Sequence, residues 1–308
     1  MKGKEEFMAY FNSQVAYEVN TTSHFKLAKS YRKPVFFIFY FLVIVCATLL
    51  NKNASLHFLI LFLGGFLLFG GLAWISMSNK NDVPDKLKEK TITKMLKFYA
   101  PGMKYNQGMG MIDKAIDISN IFDGNDYKTD DYMEGKLNNT YLQLCSLAAA
   151  EGNKQDQPFF TGIYMIAEFN KNFKGQYVIF SGFHIPAYAD VPGEVDPVRM
   201  KEIKLENPDF NNMFCAYGTG DELETRYLLT PAMMQRMVDI NNAYDEKIHF
   251  AFDRGHMFFA FETDGIPFSD ELKSTRDEDV IGKWNNILHF ALSLPEQFHL
   301  DEHLWSKP

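Results

Sequence analysis

Few residue types that do chemistry stand together in this chain. The segment His299–His303 (HLDEH) sets two imidazoles four residues apart, with Asp301 and Glu302 between them. On a helix that spacing turns both rings to one side, but the H-E-x-x-H order and a third ligand are missing. The acidic stretch Asp123–Glu134 invites a calcium reading, since Asp123, Asn125, Asp131 and Glu134 fall on ligand positions of an EF-hand loop. Tyr127 and Lys128 then occupy a ligand position and the glycine position, and strand patterns flank the loop, so it reads as solvated. Gly218-Thr219-Gly220-Asp221 lacks the lysine and the spacing of a phosphate cradle and reads as a turn. His184, His249, His256 and His289 are scattered, and no G-x-S-x-G occurs. No catalytic residue, cofactor or metal is assigned from these patterns.

The elements that would position any site begin with a long apolar stretch. Residues 35–50 (VFFIFYFLVIVCATLL) and 56–75 (LHFLILFLGGFLLFGGLAWI) are separated by the polar break 51–55. Runs of that length predict a hairpin of two membrane-spanning helices over 35–77. Lys26, Lys29, Arg32 and Lys33 precede it and Lys80, Lys86, Lys88 and Lys90 follow, against Lys52 alone in the loop. The positive-inside rule then predicts an inner-membrane protein with both termini cytoplasmic. The first run starts far from Met1 and lacks a small-residue cleavage pattern, so it reads as a span rather than a signal peptide. Gly64 and Gly71, seven residues apart, offer a small-residue face for helix–helix packing, against the first span or a second chain.

Charge divides the chain. The 308 residues carry a net charge of −8. Residues 1–34 hold six basic and three acidic groups, while 80–308 hold 24 against 36. So acidic a domain excludes nucleic acid as a partner. Cys46, Cys145 and Cys215 have no C-x-x-C spacing and predict reduced thiols. The expected organisation is a cytoplasmic helical segment over 1–34, the hairpin over 35–77 and an α+β domain over 80–308.

Within that last part, 84–99 has the period of an amphipathic helix ended by Pro101-Gly102. Residues 115–122 alternate as a short strand. Asn138-Asn139 sits between the strand patterns 131–137 and 141–147 as a two-residue turn. Residues 159–169 and 176–180 read as a hairpin through 170–175, and 186–198 as a proline-rich loop. Thr230-Pro231 is an N-cap followed by proline at the first helical position, opening a helix to about Asn242. Asp253-Arg254-Gly255 joins strands 247–252 and 256–262. A last helix over 277–292 is expected to stop before Pro295. The fold class is thus α+β, a transmembrane hairpin followed by an antiparallel sheet with packed helices.

Asp131–Leu137, Ala167–Gly175, Leu205–Phe210 leading to Phe214, and Glu224–Pro231 together resemble a known family. It is the bacterial two-span membrane family of unknown function whose members often carry the label "galanin". The similarity covers most of 84–262, with the motifs in the same order. The chain departs from that pattern after Leu142–Ser146, where Leu147-Ala148-Ala149 stands in place of an acidic residue. The resemblance implies two N-terminal spans, a cytoplasmic α+β domain and a LemA-type membrane protein as partner. Among its motif residues, Glu168, Asn170, Lys171, Glu206, Arg226 and Tyr227 form the expected ligand or partner surface. The function expected on these grounds is a membrane-anchored interaction or scaffold module, open to self-association. The alternatives are a sensor of a small ligand or lipid, or an enzyme with a pocket near Glu206, Arg226 and Tyr227.

Overall fold

The computed structural model describes residues 3–11, 82–122, 126–152, 157–169, 171, 173–182, 200–244, 246–270, 272 and 277–300. The chain divides into two units, one of 1–4, 92–270 and 280–308, the other of 5–91 and 271–279. In the second unit, the short helix α1 (Lys4–Tyr10) carries Phe7, whose ring lies 5.8 Å from that of Phe11. Helix α2 (Asp82–Tyr99) begins in that unit and ends in the first.

The first unit is built on an antiparallel sheet of nine described strands in the order β1-β2-β3-β4-β9-β8-β5-β7-β6. The strands are β1 (Met103–Asn106), β2 (Asp126–Leu137), β3 (Thr140–Ala150), β4 (Phe160–Glu168), β5 (Tyr177–Ser181), β6 (Lys201–Ile203), β7 (Phe214–Gly218), β8 (Ile248–Asp253) and β9 (His256–Glu262). Helix α3 (Asp113–Asp117) precedes β2, and α4 (Pro208–Met213), α5 (Glu222–Leu228) and α6 (Pro231–Ala243) surround β7 in sequence. Helix α7 (Glu278–Gln297) closes the chain.

This architecture corrects the expected fold class. Among the described residues no helix is long and apolar enough to cross a membrane, so the transmembrane assignment has no support in the described fold. The expected hairpin, with Gly64 and Gly71, lies outside the described residues. What the described fold consists of is the large antiparallel sheet and its helices.

Alternation along each strand sorts side chains onto two faces. One face presents Phe250, Phe259 and Phe261, and α7 packs on it. Phe290 lies 5.0 Å from Phe261, and Phe298 lies 5.5 Å and 5.3 Å from Phe250 and Phe259. Tyr99 at the end of α2 donates to Asn285 Oδ1 of α7 at 2.7 Å, satisfying a buried amide. The opposite face presents Cys145, Leu147, Tyr164, Phe258 and Tyr217. Helix α3 meets it, taking the Tyr164 hydroxyl on the carbonyls of Ala115 and Ile116.

Local expectations met the sheet with mixed results. The turns at Asn138 (φ 52°) and at Arg254-Gly255 (φ 47° and 79°) sit where positive φ suits a tight reversal. The Thr230 hydroxyl accepts from Met233 N at 3.3 Å and caps α6. The expected β4–β5 hairpin is corrected: β4 pairs with β9 and β5 with β8, so the β8–β9 hairpin lies between them. The expected strand at 115–122 is helix α3 and a turn, because Ser119 Oγ accepts from Ile121 N and donates to the Ile116 carbonyl. Helix α7 runs past Pro295 to Gln297, since a proline so close to the end removes only a last-turn hydrogen bond. Strand β2 holds a bulge between Asp130 and Met133, with Asp131 at φ 56°. Tyr105 and Ser146 hydroxyls satisfy the buried Asp131 carboxylate there.

Candidate functional site

Four of the residues expected to form a surface, Lys171, Glu206, Arg226 and Tyr227, gather around α5. This helix is only seven residues long, and its local chemistry explains why it forms. Asp221 caps it by accepting from Glu224 N at 2.8 Å, and Thr225 Oγ donates to the Asp221 carbonyl. Glu222 and Glu224 in the first turn and Arg226 in the last complement the helix dipole. A helix this short needs tertiary anchors, because its own hydrogen bonds barely offset nucleation.

The first anchor is Glu224. Its Oε1 accepts from Lys174 N at 3.1 Å, from Gly175 N at 2.5 Å and from the Tyr177 hydroxyl at 3.2 Å. The backbone at Gly220 passes close enough that a Cβ there would lie 1.8 Å from Tyr177 Oη. The glycines of Gly218–Gly220 therefore serve close approach rather than a phosphate. Burial foremost pushes Tyr177 up to about 12; a hydrogen bond with Thr225 pulls it down, and Glu224 and Asp221 add to the rise, so it donates at neutral pH.

Lys171 is the second anchor. Its side chain is 2 % exposed, and its Nζ donates to the Tyr227 carbonyl at 2.8 Å. The same nitrogen lies 4.9 Å from the Tyr227 ring centroid and 5.9 Å from that of Phe169. Aromatic faces stabilise a cation held this way. Burial, with a smaller contribution from Arg236, nevertheless lowers Lys171 to about 8. Phe169 and Phe173 fix the segment that carries it by packing on Phe252.

Arg226 points outward. It meets Glu222 at 2.9 Å and Glu206 at 3.3 Å, and the Arg226 and Glu206 side chains are 62 % and 83 % exposed. These are surface ion pairs, worth little in stability. Tyr227 remains 43 % exposed despite the lysine behind it, and Leu223, one turn earlier on the helix, is 80 % exposed. Leu223 is not among the residues singled out from the sequence. The outer face of α5 thus combines Leu223, Arg226 and Tyr227 with Glu206 alongside. Glu168 stands elsewhere, at the end of β4, paired in register with His256 and accepting from Tyr141 N at 3.4 Å. Asn170 lies outside the described residues.

Cys145 is buried in the sheet, and burial foremost pushes its thiol up to about 12, away from thiolate chemistry. Among the described residues, no three His, Cys, Asp or Glu side chains stand where they could hold a metal ion. The EF-hand reading fails for Asp131, whose carboxylate is taken by Tyr105 and Ser146; Asp123 and Asn125 lie outside the described residues, as does His303 of the HLDEH segment. What α5 offers is apolar, aromatic and charged surface held rigidly from beneath.

Residues 159–300, from β4 to α7, match the model of a family described as "Protein of unknown function (DUF3137)". That span includes Lys171, Glu206 and all of α5. No curated protein matches. Among solved structures, the chain has a likeness to the mycobacterial trehalose monomycolate transport factor A, TtfA. That likeness has a TM-score of 0.37 at 9 % identity, covering 66 % of this chain and 95 % of that one.

Proposed function

We propose that this chain is a protein-interaction module and that the outer face of α5, with Glu206 beside it, is its working surface. The observation that carries the reading is the exposure of Leu223 and Tyr227 on a helix pinned from beneath by Glu224 and Lys171. Large exposed apolar and aromatic side chains on a rigid element, flanked by an arginine, have the composition of interface centres. Rigidity adds to this, since a surface already ordered loses less entropy on binding.

The partner is a protein segment presenting an apolar side chain flanked by basic residues. Residues 200–230 carry six carboxylates against Lys201, Lys204 and Arg226, and opposite charge steers such a segment to Leu223. A LemA-type protein, implied by the family resemblance, is the first bait.

The experiment places a photo-crosslinking residue at position 223 of the full chain and offers it the LemA-type protein or a synthetic lysine-flanked leucine peptide. Cross-linking that disappears with Tyr227→Ala, while the same residue at exposed Lys247 stays silent, supports the reading. Cross-linking indifferent to Tyr227→Ala, or none to either bait, overturns it.

A further inference from the structure

We propose that the β2–β3 face carries a binding site for an organic cation bearing N–H donors, an alkylguanidinium or a primary ammonium, at Glu134 and Gln143. The site lies on strands and does not depend on α5.

Four side chains build it. Glu134 Oε2 accepts from the Tyr132 hydroxyl and from the Tyr141 hydroxyl, each at 3.0 Å. Gln143 Nε2 donates to Tyr132 Oη at 2.8 Å. The network therefore has a direction. The amide nitrogen of Gln143 faces Tyr132, so its oxygen is the end left over, and one carboxylate oxygen of Glu134 is saturated while the other is not.

Glu134 and Gln143 are direct cross-strand partners, and their positions fall on the same sheet face. No other hydrogen bond or ion pair of either side chain to the described residues accompanies these. Both are half-buried, on the side of the sheet where Tyr132 joins the apolar cluster. Lys136, two residues along the same face, stands exposed and makes no ion pair with Glu134. Two neighbouring acceptors, one of them charged, match the N–H groups of a guanidinium or an ammonium. The phenol rings supply the flanking surface a cation prefers. Burial and the Glu134 carboxylate push Tyr132 up to about 12 and raise Tyr141 as well. Both hydroxyls thus keep their protons and hold the carboxylate in one orientation. An anion would meet only acceptor oxygens and an uncompensated charge.

The cation has two possible sources, a free amine such as a polyamine or a basic side chain of a peptide. Calorimetry on the full chain at low salt separates them, with ethylguanidinium, tetramethylammonium, n-propanol, spermidine and an acetyl-Gly-Arg-Gly amide as probes. Ethylguanidinium is expected to bind saturably and n-propanol not at all. Glu134→Gln is expected to weaken ethylguanidinium about tenfold or more, the loss of a charged hydrogen bond. Gln143→Met is expected to weaken it about fivefold, and it decides the matter if Glu134→Gln does not fold. Tighter spermidine assigns the site to free amines, and a tighter tripeptide assigns it to a protein side chain. Equal binding by wild type and a folded Glu134→Gln overturns the proposal. So does tetramethylammonium binding as tightly as ethylguanidinium, because it has charge but no N–H.

Discussion

Two polar clusters of this molecule handle a charged group in opposite ways. At α5 the Lys171 amine is buried, with a carbonyl and two aromatic faces supplied by the chain itself. On the β2–β3 face the Glu134 carboxylate is half-buried, with one oxygen bound twice and the other without a hydrogen bond to the described residues. A buried charge provided for from within acts as a fastener, and its removal is felt in stability. A half-buried charge provided for on one side keeps capacity for a ligand, and its removal is felt in binding. The contrast separates what holds a surface in place from what the surface can hold.

The largest effect that tests this contrast is Lys171→Ala. It empties the space of a buried side chain and leaves the Tyr227 carbonyl without that donor, for an expected loss of about 3 kcal/mol in denaturant unfolding. A loss under about 1 kcal/mol would break the comparison, placing Lys171 with the exposed lysines. The pH dependence comes next. Lys171 has a native pKa near 8, below its ordinary 10.5, so between these values the unfolded chain holds the proton that the native chain has released. Stability should therefore rise as pH goes from about 8 to 10, by at most about 3 kcal/mol, before the tyrosines with raised pKa values oppose it. Unfolding curves of wild type and Lys171→Met at pH 7, 8, 9 and 10 read this directly, since the rise should be missing in the variant.

Lys171→Met itself keeps most of the volume and removes the charge, and is expected to cost less than about 1.5 kcal/mol at pH 7. Glu134→Gln is expected to shift stability by under about 1 kcal/mol while it weakens cation binding about tenfold or more. A large stability loss there with unchanged binding would reverse the roles of the two clusters. Arg226→Gln is the smallest, under about 0.5 kcal/mol by thermal unfolding, because both of its ion pairs are exposed.

Much of the fold that was legible in the sequence was local. The turns at Asn138-Asn139 and Arg254-Gly255 and the cap at Thr230 are decided by a few adjacent residues, and those residues carry the signal. The β4–β5 pairing was misread because a hairpin nearly 70 residues further along takes the place beside each strand. The bulge at Asp131 was invisible because its cause, Tyr105 and Ser146 around one carboxylate, comes from two other strands. Apolar length alone carried the expected membrane hairpin, which the described helices do not reproduce. At the site, the resemblance pointed to Lys171 and Tyr227, but nothing in the residues told that an amine and a carbonyl 56 positions apart would meet. Glu206 and Arg226 pair on the surface, and Leu223 carried no signal because a leucine on a seven-residue helix has too few neighbours to define a face.

The strand order also sets a schedule for synthesis. Strands β1 to β4 form a meander that can assemble as the chain emerges, since each pairs with its neighbour in sequence. Strands β5, β6 and β7 pair among themselves but reach β4 only through β8 and β9. Until residue 262 has left the ribosome, the inner edges of β4 and β5 stay open, with Tyr164, Met165, Val178 and Ile179 beside unpaired backbone. Such edges invite intermolecular pairing. The β8–β9 hairpin is the keystone of the sheet, and a nascent chain stalled before it is the form most exposed to aggregation.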